Sequence, residues 1–406
     1  MEFKEIPGGV CAAKGFLASG IHAGMRKNKA KKDLALIFSE KICNVAAVFT
    51  KNKVFGSPIV VTRKNIADGT ARAIVCNSGN ANTCNADGLE KAQQMCDLTA
   101  KALDLDSKDV IVASTGVIGL PFNIEPIANG LPKLISELRR DGGLDAASAI
   151  MTTDTHPKER AVEFTIDGKT CHLGAIAKGS GMIHPNMATM LSFITTDVAI
   201  SQETLAKALK AAVDVSYNMV SVDGDTSTND MVIVLANGEA GNSLIESDGQ
   251  DYNVFLAALK QLAIEMAKLI AGDGEGASKL IECVVTGAPS EKLAKDIAKS
   301  IISSSLTKAA IFGSDANWGR VICAIGYTEG DFAVDTIDIY FSSPKGRIKV
   351  CHQGTGLDFS EEKAKEILLE DKIRIEVFMN QGEEEATAWG CDLTYDYVRI
   401  NGDYRT

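Results

Sequence analysis

The sequence lacks any stretch near eighteen apolar residues free of charge, so no segment is expected to span a bilayer as a helix. Its opening, "MEFKEIPGGVCAAKGF", has neither the apolar core nor the basic flank of a secretion signal. The ten cysteines are scattered, with no C-x-x-C pair, and in this context they are expected as reduced, mostly buried thiols. A cytoplasmic, or similarly reducing, location follows as an expectation. Positive charge is also short: 42 Lys and Arg stand against 53 Asp and Glu, a net charge of -11. Binding to nucleic acid or an anionic membrane through a broad basic face is excluded on that ground. No low-complexity linker or fixed-period repeat interrupts the chain.

What is present is 406 residues, 45% of them hydrophobic, enough for one large core or two moderate ones. "KDLALIFSE", "VAAVFT", "IVVTR" and "RAIVCNSG" are short, β-branched runs bounded by polar turns, and they predict strands. Leu89, Ala92, Cys96, Ala100 and Leu103 recur at helical spacing, as do Phe255, Leu259, Leu262, Met266 and Leu269. Ser201 before Gln202 and Glu203 reads as the N-cap of a helix reaching about Val213, and "EKLAKDIAKSII" from Glu291 as another amphipathic helix. "DTIDIYFS", "RIKVCH", "KIRIEVFM" and the terminal "CDLTYDYVRINGDYRT" predict strands again. The expected class is α/β of the α+β type, with mixed β-sheets carrying helices on their faces.

Chemistry is concentrated in "AKGSGMIHPNMATMLSF", Ala177 to Phe193. Gly179 and Gly181 permit close backbone approach, Pro185 fixes its own φ, and a strand-like apolar run follows Thr189. A threonine held at the start of such a strand can attack the Ala188–Thr189 peptide with its own hydroxyl. Hydrolysis of the resulting ester leaves a free α-amino group, which titrates near ~7.7–8.0 and can serve as base for that hydroxyl. The plain alternative is a Gly/Pro loop leading into a strand, with Thr189 capping nothing. Other chemistry fails on spacing. "GSGMIH" lacks the third glycine of a dinucleotide fingerprint, and no phosphate loop is present. Cys171-His172 and Cys351-His352 are strand neighbours pointing to opposite faces. "DGDTSTND" from Asp223 lacks calcium-loop spacing and reads as a turn-rich structural loop, so no metal is expected.

"KGSGMIHPNMATML" closely resembles the self-cleavage motif of the ornithine acetyltransferase, or glutamate N-acetyltransferase, family of arginine biosynthesis. The resemblance continues in "NSGNANTCNADG", "STGVIG", "TTDT", "SVDGDTSTND", "GDGEGASK", "GSDANWGR" and "INGDYRT", and so covers essentially the whole chain. It implies an N-terminal-nucleophile-type site and cleavage into an α chain of residues 1–188 and a β chain of residues 189–406. Thr189 would be the nucleophile in both cleavage and catalysis, with Thr115 and Gly116 donating to the oxyanion. One such donor is worth ~2.7–4 kcal/mol of transition-state stabilisation. Substrate contacts would fall on Thr153, Lys178, Thr189, Glu275, Asn401 and the last residue, Thr406. Lys178 suits a substrate carboxylate and Glu275 the side-chain ammonium of ornithine. Taken singly, Lys178 also reads as a solvated loop lysine, Glu275 as a turn residue, and Asn401-Gly402 as a hairpin turn.

The implied reaction moves acetyl from N2-acetyl-L-ornithine to L-glutamate through an acetyl-threonine. No cofactor is required, acetyl-CoA is a candidate second donor, and an α2β2 heterotetramer is the implied assembly. A self-cleaving amidohydrolase or aminopeptidase, handing the acyl group to water, is the alternative with the same nucleophile.

Overall fold

The computed structural model describes residues 3–184 and 190–403. Ala188, Thr189 and Thr406 lie outside the described residues. The two early runs expected as separate strands form one long strand, Leu34–Phe49. It pairs with Phe16–Ile21, Thr70–Asn80 and Met231–Ala236. Around it, among the described residues, grows a nine-stranded sheet. It runs Lys4–Ile6, Lys158–Ile166, Lys169–Lys178, Leu191–Thr196, Met231–Ala236, Leu34–Phe49, Thr70–Asn80, Val110–Val117, with Phe16–Ile21 to the side. A second, seven-stranded sheet centres on Lys372–Phe378, Leu280–Ala288 and Glu384–Cys391. Each sheet is mixed: Leu191–Thr196 runs parallel to Met231–Ala236, while most other pairs in the first sheet are antiparallel. The expected class therefore holds.

Helix Gln250–Gly272 packs on the first sheet and also meets the second. Phe255, Leu259, Leu262 and Met266 of its stripe are buried in the largest core, which takes Ile194 from one sheet and Ile281 and Val377 from the other. The helices Gly88–Leu103, Gln202–Asp214 and Glu291–Ser303 form where periodicity placed them, and Ser201 accepts the Thr204 N–H as an N-cap. Leu89, the first of the residues at that helical spacing, is 54% exposed.

Two runs expected as strands are helical. "IVVTR" lies in helix Ser57–Asn65, where Pro58 at the first turn has the φ a helix needs. Its polar side chains serve the sheet: Thr62 Oγ1 donates to the Val112 carbonyl at 2.7 Å and accepts its N–H at 3.0 Å, and Asn65 Nδ2 donates to the Val110 carbonyl. The helix thus closes the edge of the last strand, which β propensity alone does not reveal. The terminal run is a strand only to Cys391, then helix Tyr395–Asp403. Asn401 and Gly402 belong to that helix, so the hairpin reading of this pair is wrong. No helix among the described residues is long and apolar enough to cross a membrane. All ten cysteines are free thiols.

Candidate active site

Strand Val110–Val117 delivers Thr115 and Gly116 at its end. Gly116 has φ +129°, and a Cβ there would stand 2.4 Å from the Gly79 carbonyl carbon. Glycine is required at that position by both conformation and close approach. Asn229 ties the neighbourhood together: its Nδ2 donates to the carbonyls of Ala81 and Ser114, and its Oδ1 accepts from Thr83 and Thr228. Three segments quoted for their resemblance therefore converge on one side chain.

Across the cleft, strand Lys169–Lys178 ends at Lys178, 8% exposed. This is a buried lysine at a sheet end, not a solvated one. Glu275 follows the long helix; its N–H donates to the Ser180 carbonyl at 3.0 Å, and its Oε2 accepts from Asn401 Nδ2 at 2.8 Å. A Cβ on Gly181 would lie 2.4 Å from the Glu275 carboxyl carbon, so this glycine makes room for the acid. Thr115, Gly116, Thr153, Lys178, Glu275 and Asn401 line one cleft of about 150 Å³, with Thr152, Gly181, Met182 and Ser227 completing the wall. Every expected site residue that is described is thus brought together. An adjoining hollow of about 20 Å³ adds Asn229, Asp230 and Met190, the residue after Thr189 in the chain. A larger hollow of about 440 Å³ lies against the second sheet, but its acids are already paired, Glu265 with Lys268 and Glu282 with Arg374. Size does not identify the site.

A buried ion cluster fixes the cleft. Lys158, fully buried, donates to Asp154 Oδ1 at 2.7 Å and to Asp273 Oδ2 at 2.5 Å. Asp154 also accepts the N–H groups of Thr152 and Gly179, and Asp273 that of Thr155. The segments bearing Thr153, Lys178 and Glu275 are therefore anchored to one ammonium. Burial pushes the Asp154 carboxyl up, but the charges of Lys158 and Lys178 with these hydrogen bonds outweigh it and hold it well below the usual range.

Asp230, which sequence reasoning passed over, is 3% exposed, and its Oδ2 has no hydrogen-bond partner among the described residues. Burial drives its carboxyl well above the ordinary value, against smaller opposing effects from Ser227 and Lys178. Among the described residues, no hydrogen bond or ion pair holds the Lys178 ammonium. It is a buried cation facing a cleft, which is the arrangement that attracts an anionic group from a ligand. No cluster of three or more His, Cys, Asp or Glu placed to hold a metal occurs among the described residues.

Met182, on the cleft rim, has φ +57°. That left-handed conformation costs a non-glycine residue about 1–2 kcal/mol. Burial pushes His184 down to about 4, with the Lys299 charge adding to the effect.

Fold and site together define a two-sheet α/β protein with a cleft lined by a lysine, a glutamate and the strand-end pair Thr115 and Gly116. The chain belongs to the ArgJ family, whose model matches residues 17–406. It is 54% identical over 392 residues to the arginine biosynthesis bifunctional protein ArgJ 1 of Clostridium acetobutylicum, covering 96% of each chain. Identity is 51% over 394 residues to the ArgJ protein of Caldanaerobacter subterraneus subsp. tengcongensis, covering 97% of each. Among solved structures it resembles the ArgJ protein of Bacillus halodurans, at 49% identity and a TM-score of 0.51 over 53% of this chain and all of that one.

Proposed function

We propose that this chain is an acyltransferase of arginine biosynthesis that moves an acetyl group from N2-acetyl-L-ornithine to L-glutamate. The observation that carries the reading is the Lys178 ammonium, with no hydrogen-bonded or ion-paired partner among the described residues, lining the same cleft as the Glu275 carboxylate, Thr115 and Gly116, in a chain of the ArgJ family. Lys178 receives the α-carboxylate shared by donor and acceptor. Glu275, steadied by Asn401, receives the side-chain ammonium of ornithine.

In the proposed maturation, Thr189 Oγ attacks the Ala188 carbonyl carbon, the peptide C–N bond breaks, and the nitrogen keeps the hydroxyl proton. Water then hydrolyses the ester, leaving Ala188 as a carboxylate and Thr189 with a free amine. This gives chains of residues 1–188 and 189–406. In catalysis the Thr189 amine takes the hydroxyl proton while the oxygen attacks the acetyl carbonyl, with the Thr115 hydroxyl and Gly116 N–H donating to the oxyanion. The proton passes to the departing ornithine nitrogen. The glutamate amine reverses these steps and leaves as N-acetylglutamate. Acetyl-CoA as a second donor, an α2β2 assembly and a cytoplasmic location complete the proposal.

Two-substrate kinetics test it: varying acetyl-ornithine and glutamate is expected to give the parallel double-reciprocal lines of a ping-pong exchange. Intersecting lines would overturn the acetyl-threonine. Acetate release undiminished by glutamate would show an amidohydrolase instead.

A further inference from the structure

The acidic stretch Ser221 to Met231 holds the chain on both sides of the proposed cleavage bond. Upstream, Asp223 Oδ2 accepts the Met182 N–H at 2.6 Å and Oδ1 accepts the Ile183 N–H at 2.9 Å. The Val222 N–H donates to the Ile183 carbonyl at 2.7 Å, and Thr226 Oγ1 donates to the His184 carbonyl at 2.9 Å. Downstream, the Met231 N–H donates to the Met190 carbonyl at 3.0 Å, and Leu191–Thr196 then runs in register beside Met231–Ala236. A single contiguous segment thus grips residues 182–184 and the chain from 190 onward.

Within that grip Met182 is anomalous. It adopts φ +57°, yet its side chain is 42% exposed, so burial of the methionine gives no reason for the conformation. The groups seen holding it are the two carboxylate oxygens of Asp223, which bind consecutive N–H groups in the manner of an anion in a backbone nest. Glycine would adopt this conformation freely; at this methionine it coincides with two carboxylate hydrogen bonds to consecutive N–H groups.

We propose that Asp223 is a positioning residue for self-cleavage, holding Met182 in the left-handed conformation and so aiming the chain that enters the Ala188–Thr189 bond. This rests on the self-cleavage proposed above. Asp223 acts through the backbone N–H groups of residues 182 and 183, of which Met182 also borders the cleft. The loop seen in sequence as merely turn-rich is, on this view, the template of processing.

The test is cell-free synthesis of the full chain, sampled over time by intact mass under denaturing conditions, with thermal unfolding as the folding control. Asp223→Ala is expected to slow the appearance of the two chains by roughly tenfold or more, the scale of one charge-assisted hydrogen bond. Asp223→Asn, which keeps one acceptor and the shape, should fall between; it carries the test should the alanine variant not fold. Adding Met182→Gly to either variant should restore most of the lost rate, because glycine needs no aspartate to reach positive φ. A rescue of that kind is not expected if Asp223 merely stabilised the fold. If the wild type processes and Asp223→Ala and Asp223→Asn keep pace with it, Asp223 has no such role. Slowing without rescue overturns the conformational account equally. A wild type that stays a single chain overturns self-cleavage itself, which is a separate failure.

Discussion

Two lysines on neighbouring strands show how one sheet end serves two purposes. Lys158 opens strand Lys158–Ile166 opposite Ala177, and Lys178 closes the next strand, one residue past that partner. Each is removed from water, at 0% and 8% exposure. Lys158 is answered by two carboxylates, Asp154 and Asp273. Lys178 has no hydrogen-bonded or ion-paired answer among the described residues, though it acts electrostatically on Asp154 and Asp230. A buried charge without partners is costly, and groups of this kind cluster at functional sites, which is the ground for the ligand role proposed for Lys178. The first lysine builds the cleft; the second is available within it.

The sharpest break of this comparison is Lys158→Met. Removing one member of a buried ion cluster leaves the others uncompensated and typically costs about 3–5 kcal/mol. Here two aspartates are stranded, and the three segments they anchor lose their common tie. Denaturant unfolding near neutral pH should show a loss of that size, and the deficit relative to the wild type should shrink as pH falls. The sign follows from Asp154, whose carboxyl is held low in the folded state. That stability is present above the unfolded value, about 3.9, and is lost as pH falls through the folded one. A loss below about 1 kcal/mol would mean that the cluster contributes little, as exposed pairs do.

Lys178→Met should do the opposite. Stability should change by less than about 1 kcal/mol, because the variant removes a desolvated charge that lacks a direct partner. Activity should suffer: one charged hydrogen bond to the substrate carboxylate is worth about 1.5–3 kcal/mol, so kcat/KM should fall roughly 10- to 150-fold for both substrates. Measured on the same preparations, the two variants should cross, one unstable and the other inactive. If Lys178→Met unfolds like Lys158→Met, the distinction between them fails.

This contrast was only half legible in the sequence. Lys178, Glu275 and the Thr115–Gly116 pair could be named because they sit in motifs with a recognisable order. Which lysine is answered depends on where Asp273 comes to rest, 115 residues from Lys158 in the chain. No local pattern carries that information. The same limit explains the misread helix Ser57–Asn65, whose Thr62 and Asn65 are spent on the backbone of a strand about fifty residues away. Local signals sufficed where they were self-contained, as in the cap of Gln202–Asp214 and the apolar stripe of Gln250–Gly272. They failed for Asn229 and Asp230, which look like two more polar residues of a turn until the sheet closes around them.

Asp230 gives the smallest effect and the finest test. Its carboxyl, pushed up by burial, keeps a proton in the folded state at pH values where the unfolded chain has released it. Its contribution is therefore fully present below the unfolded value, near ~3.9, and declines as pH rises through the folded one. Asp230→Asn replaces the group with a neutral near-isostere and removes this decline. The difference in unfolding temperature, variant minus wild type, should accordingly grow more positive between pH 5 and pH 8. Parallel curves would show that Asp230 is charged in the folded protein, with Lys178 as its answer. In that case Lys178 would no longer be the unanswered lysine, and the contrast with Lys158 would narrow to a difference of geometry.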